Sequence, residues 1–129
     1  MPTDLSRPAG VSTEPTDKQF ENDPAIVKWR EFMKKYYPDG SLTDASNTYG
    51  YSVARTLVQV LKQCGDNLTR ENVMRQAANL KNFDTGMGLP GIRINTSPKD
   101  FAPIEAVQLM RFDGKSWVRF GNVISNDAQ

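Results

Sequence analysis

A chain of 129 residues is one domain or less, and if it folds compactly it buries roughly two thirds of its unfolded surface. Its 16 Lys and Arg nearly balance its 15 Asp and Glu, for a formal charge of +1 with no long run of either sign. The basic stripe expected of a nucleic-acid binder is therefore missing. There is also no histidine, which removes the commonest general base, metal ligand and pH switch together.

The first 21 residues, MPTDLSRPAGVSTEPTDKQFE, are rich in Pro, Ser, Thr, Asp and Glu. With only Leu5, Val11 and Phe20 as sizeable apolar groups, burial cannot offset the ordering entropy, so residues 1–21 are expected to be disordered or loosely draped. This segment has no apolar h-region of a signal peptide. No run in the chain approaches membrane-spanning length.

A domain over 22–124 follows, with helices expected at 23–37, 45–64 and 69–81. The first opens on Asn22-Asp23-Pro24, an Asx cap followed by proline where a missing N–H costs nothing. Ile26, Trp29, Met33 and Tyr36 recur at helical spacing, widened by Phe32. Tyr37-Pro38-Asp39-Gly40 ends it. The second helix begins near Asp44 or Ser46 and stops at Gly65, a glycine suited to the C′ position. Val53, Leu57, Val60 and Leu61 form its stripe, and Tyr51, Ala54 and Val58 widen it. A helix apolar over so much of its girth packs against more than one neighbour. Thr69 caps the third helix, with Glu71 in its first turn against the dipole.

Beyond Asn82 the periodicity changes. Ile92-Arg93-Ile94 reads as a brief strand within 92–95, and 105–112 and 116–124 read as a hairpin turning at Asp113-Gly114. The first hairpin arm is partly apolar on both faces, as for strands covered on both sides. Residues 125–129 form a tail.

Gly86-Met-Gly88-Leu-Pro-Gly91 satisfies G-x-G-x-x-G. A pyrophosphate site needs a buried strand before these glycines and a helix after them. Here they follow Lys81-Asn82 and precede a strand, and Pro90 removes a donor, so a flexible connection is the better reading. Cys64 lies at a helix C-terminus, where the dipole disfavours a thiolate, and reads as a packing residue. Asp39, Asp44 and Asp66 occupy turns and caps rather than paired acid/base positions. No enzyme, cofactor or metal is expected. Asn47 and Tyr49 stand at a helix entrance, where exposed N–H groups and amphipathic side chains can meet a small polar ligand.

The segments WREFMKKYYPDG (29–40), YGYSVA (49–54), LTRENV (68–73), FDTGMG (83–88) and FDGKSWV (112–118) follow one another in order. This succession, over residues 22–124, resembles the carboxy-terminal part of the branched-chain amino-acid type solute-binding proteins of ABC importers. The resemblance implies an α/β fragment of a two-lobe type I periplasmic binding fold, each lobe a parallel sheet flanked by helices. A small organic solute such as an amino acid would sit between the lobes, and closure would signal the permease. Asp44, Ser46, Asn47 and Tyr49 would approach that cleft in the complete protein, with a periplasmic or extracellular location.

Family members carry a whole first sheet and most of a second before this point, with most of the solute-binding groups. The chain is therefore expected to be a segment that does not bind solute alone. The competing expectation is an autonomous interaction or oligomerisation domain, its uncovered apolar surface met by a second copy through swapping.

Overall fold

A computed structural model describes residues 9–10 and 17–126. In chain order they form β1 (Ala9–Gly10), a 3₁₀ turn (Lys18–Phe20), α1 (Pro24–Tyr36), α2 (Ala45–Cys64), α3 (Arg70–Ala77), β2 (Ala106–Phe112), β3 (Trp117–Arg119) and β4 (Ile124–Ser125). The class is α/β, three helices with an antiparallel sheet in which β2 is central and pairs with β1, β3 and β4.

Each helix begins where a side chain satisfies otherwise orphaned N–H groups. Asp23 accepts from Ala25 and Ile26, Asp44 from Ser46, and Thr69 from Asn72. Around α1 lies the main core: Ile26, Trp29 and Met33 bury against Phe20, Met87, Leu89 and Ile92, with Ala106 and Met110 of the sheet packed on this cluster. A second cluster joins Val60 and Cys64 of α2 to Leu80 and Ile94, flanked by Val73, Ala77 and Phe83.

Several sequence expectations change. Part of the segment expected to be disordered is ordered. Ala9 and Gly10 pair with Leu109 and Gln108, Asp17 caps the 3₁₀ turn, and Phe20 is buried. Gln19 reaches the Trp117 carbonyl at 3.3 Å, and the Arg119 guanidinium stands 5.6 Å over the Phe20 ring. One buried aromatic anchors this stretch where its polar composition alone would leave it loose. The rest of that expectation, residues 1–8 and 11–16, lies outside the described residues.

The third helix ends at Ala77 rather than 81. The Thr96 hydroxyl donates to the Ala77 carbonyl at 2.7 Å and accepts from the Leu80 N–H at 2.9 Å, taking bonds that a longer helix would keep. The strand expected at 92–95 is reduced to a single bridge, Phe83 to Ile94. Its neighbouring N–H groups serve turns instead, Ile92 to the Leu89 carbonyl and Asn95 to that of Pro103.

The strand expected at 116–124 splits into β3 and β4. Met110 pairs with Arg119 but Val107 pairs with Ile124, so two extra residues bulge from the second arm. The buried Gln108 amide fills the gap, donating to the Phe120 carbonyl at 2.7 Å and the Gly121 carbonyl at 3.2 Å. Ser125 belongs to β4, and residues 127–129 of the expected tail lie outside the described residues.

Candidate functional site

The entrance of α2 is built by local hydrogen bonds. Asp44 accepts from the Ser46 N–H at 2.8 Å, and its own carbonyl accepts from the Asn47 N–H at 3.0 Å. The Ser46 backbone bond, with a smaller contribution from the Ser46 hydroxyl, holds the Asp44 carboxyl below the usual carboxylate range. The Asn47 amide donates to the Ser41 carbonyl at 2.8 Å, tying the preceding turn to the helix. Asp44 and Asn47 are thus engaged in holding the backbone.

Ser46 is exposed, and Tyr49 is 74% exposed. The four sequence-derived candidates, Asp44, Ser46, Asn47 and Tyr49, lie within six residues at the entrance of α2, and none of them lines the polar cleft described below.

Beyond its entrance, α2 has an unusual orientation. Tyr49, Gly50, Val53, Ala54, Leu57, Val58 and Leu61 are all exposed, a continuous apolar face along the helix. Ser52, Thr56, Gln59 and Gln63 are half-buried on the opposite side. Their polar groups are satisfied: the Ser52 and Thr56 hydroxyls donate to helix carbonyls four residues back, and Gln63 donates to Gln76 of α3.

The connection from α3 to the sheet carries the glycine triplet. Asp84 accepts from Gly86 N–H at 2.8 Å and pairs with Arg93 at 3.2 Å, while Met87 and Leu89 plunge into the core at 1% exposure each. Gly86 has φ 79°, a left-handed backbone that favours glycine, and a Cβ there would displace the flexible end of the Arg55 side chain of α2. Backbone without a following helix leaves no N-terminus to hold pyrophosphate, and the connection serves packing.

A polar cleft of about 430 Å³ opens between this connection and the β2–β4 pair, lined by Asn82, Arg93, Asn95, Glu105, Ser125 and Asn126 among others. None of these was singled out from sequence. Their positions come from Asn82 at φ 49°, from the Phe83–Ile94 bridge and from the β2–β4 register, three long-range features. The one local signal was Asn82, an asparagine just past a helix, where left-handed backbone is common.

Among the described residues no group of three or more His, Cys, Asp or Glu is placed to hold a metal ion, and no helix is long and apolar enough to cross a membrane. The indole N–H of the fully buried Trp29 has no hydrogen-bond partner among the described residues. It faces core packing rather than a site: Trp29 belongs to the α1 cluster.

Comparison with known proteins gives one finding. A family model described as periplasmic binding protein matches residues 9–116, which takes in every helix, the glycine connection and the turn of the hairpin. No curated protein and no solved structure matches the chain.

Proposed function

This chain belongs to the periplasmic binding protein family, and from that membership we propose that it serves an ABC importer as part of its solute receptor. The family points to solute binding in the periplasm. The finer reading is recognition of a small amino-acid-like or related organic solute by lobe closure, with the permease as partner and without chemistry on the solute. Closure of this kind is a population shift, driven by tighter binding to the closed state.

The observation that carries the solute-binding role is the match over residues 9–116. A second supports the larger architecture. The apolar face of α2 from Tyr49 to Leu61 is open along its length, as for a helix that lies on a sheet supplied by further protein. The entrance of α2, with Ser46 and Tyr49 exposed, would then stand at the rim of a cleft whose other wall belongs to that further protein. The chain alone supplies one side of such a site and is not expected to hold the solute.

Two measurements test this. Thermal unfolding of the chain with a panel of amino acids and small organic acids should show no saturable stabilisation. A saturable shift would refute the expectation that the chain alone is inactive. In a receptor containing this segment, Tyr49→Ala should weaken solute binding by roughly tenfold, the scale of a lost aromatic anchor. Unchanged affinity would remove Tyr49 from the site.

A further inference from the structure

We infer that the polar cleft between the 82–95 connection and the β2–β4 pair is a binding site for a small primary-ammonium solute bearing further hydrogen-bonding groups. It stands apart from the entrance of α2 and does not depend on the role assigned to that turn.

Four groups on its walls are uncommitted. Among the described residues the Asn82 and Asn126 amides, the Ser125 hydroxyl and the Glu105 carboxylate make no side-chain hydrogen bond, and all four residues line the cleft. An ammonium group offers three donors and no acceptor. The carboxylate, two amide oxygens and a hydroxyl form a matching acceptor set, while the amide N–H groups remain to meet a carbonyl or hydroxyl on the same solute.

Charge selects the sign. Arg93 is the cation on the wall, and it is engaged: its guanidinium pairs with Asp84 at 3.2 Å and donates to the Ile92 carbonyl at 3.1 Å. Glu105 has no ion-pair partner among the described residues, so the cleft favours a cation over an anion. A solute carboxylate would meet Glu105 as a like charge.

The frame is pre-set. The Asn82 N–H donates to the Asn95 side chain at 2.8 Å, the Asn95 N–H to the Pro103 carbonyl at 3.1 Å, and the Asn126 N–H to the Glu105 carbonyl at 3.0 Å. The first bond lies within the connection, the last within the strand pair, and the Asn95–Pro103 bond joins the connection to the segment that leads into β2, so each wall is braced without using the side-chain groups named above. A volume of about 430 Å³ falls in the range of small-ligand clefts, about 300–1,000 Å³. Walls held before binding cost less to order when a solute arrives.

The test is a titration of the isotope-labelled chain, followed by backbone and side-chain amide NMR, with glycinamide, glycine and acetate as probes. Glycinamide should give saturable shifts confined to Asn82, Arg93, Asn95, Glu105 and Asn126. Glycine, whose added carboxylate meets Glu105 as a like charge, should give no saturable shift, and neither should acetate. Glu105→Gln should weaken glycinamide binding by roughly tenfold through the lost charge-assisted bond. Asn82→Gly, which suits the left-handed backbone, should weaken it several-fold with the spectrum otherwise unchanged. The inference is overturned if glycinamide fails to saturate, if acetate or glycine binds as well, or if both variants bind as the parent does. Saturable shifts centred on Asp44 to Tyr49 would also overturn it, and would speak instead for the α2 entrance.

Discussion

Helix α1 turns its apolar stripe inward, with Ile26 and Trp29 fully buried and Met33 nearly so. Helix α2 buries Val60 and Cys64 near its end and otherwise does the reverse. Its apolar residues Val53, Leu57 and Val58 are about half exposed, at 49%, 53% and 49%, while Thr48 is buried and Ser52 and Thr56 are half-buried. Both helices have caps of the same kind and similar amphipathic patterns, so local propensity does not separate them. What separates them is a partner. Around α1 the chain supplies Phe20, Met87, Leu89 and Ile92 from two other places in the sequence. The outer face of α2 it leaves about half exposed. Hydroxyl-to-carbonyl bonds within α2 make its polar side tolerable inside, so the apolar side is left for something else to cover.

The largest expected effect breaks this contrast most directly. Trp29→Ala should cost about 3–5 kcal/mol, the usual price of emptying a core aromatic site, whereas Leu57→Ala should change stability by less than about 0.5 kcal/mol. Urea unfolding of the two variants measures both. Similar losses would mean that the face of α2 is covered in the isolated chain, and the contrast would fail.

The second prediction sharpens the contrast on the sheet side. Gln108→Leu removes the amide that serves the Phe120 and Gly121 carbonyls inside the bulge. Loss of these part-buried hydrogen bonds should cost about 1 kcal/mol, with faster hydrogen exchange at the Phe120 N–H, which donates to the Leu109 carbonyl at 3.0 Å. Wild-type exchange at that amide would show that the bulge stands without the glutamine.

The smallest effect is on acid stability. The Ser46 bond depresses the Asp44 carboxyl, and the Ser116 and then Lys115 N–H groups depress that of Asp113, both from an ordinary value of 3.8. A carboxyl lowered in the folded state contributes stability above its unfolded value and loses it as pH falls through the folded one. The unfolding midpoint should therefore be flat from about pH 8 to 5, where histidine would titrate if there were any, and should decline below the ordinary value of 3.8. Asp44→Asn with Asp113→Asn should flatten part of that decline. An unchanged acid limb would show that these two carboxyls do not contribute to it.

Much of this was legible residue by residue. Asn22-Asp23-Pro24, Asp44 and Thr69 announce helix starts because a cap is a local bond between neighbours, and all three helices begin beside them. Asp113-Gly114 announces the hairpin for the same reason, the Asp113 carboxylate accepting from two N–H groups of its own turn. The ends were less legible. Thr96 stops α3 from a distance of many residues in sequence, and nothing in Ala77-Ala78 foretells it. The order of Phe20 likewise depends on Arg119 and Trp117, which only the folded chain brings near.

The site divides in the same way. Asp44, Ser46, Asn47 and Tyr49 were found together because they share one helix entrance, but which segments stand beside that entrance is a tertiary fact. The cleft of Asn82, Glu105 and Asn126 was invisible beforehand, since its members come from three separated segments with no spacing to betray them.

By itself the amino-acid sequence determined where helices start, where the hairpin turns, and the succession of segments that marks the family, because each is written in neighbouring residues. The tertiary structure alone decided which side of α2 faces water, where α3 stops, how β3 and β4 split around Gln108, and which polar groups meet across the cleft. Those depend on contacts between residues far apart in the chain, whose free energies no local pattern records.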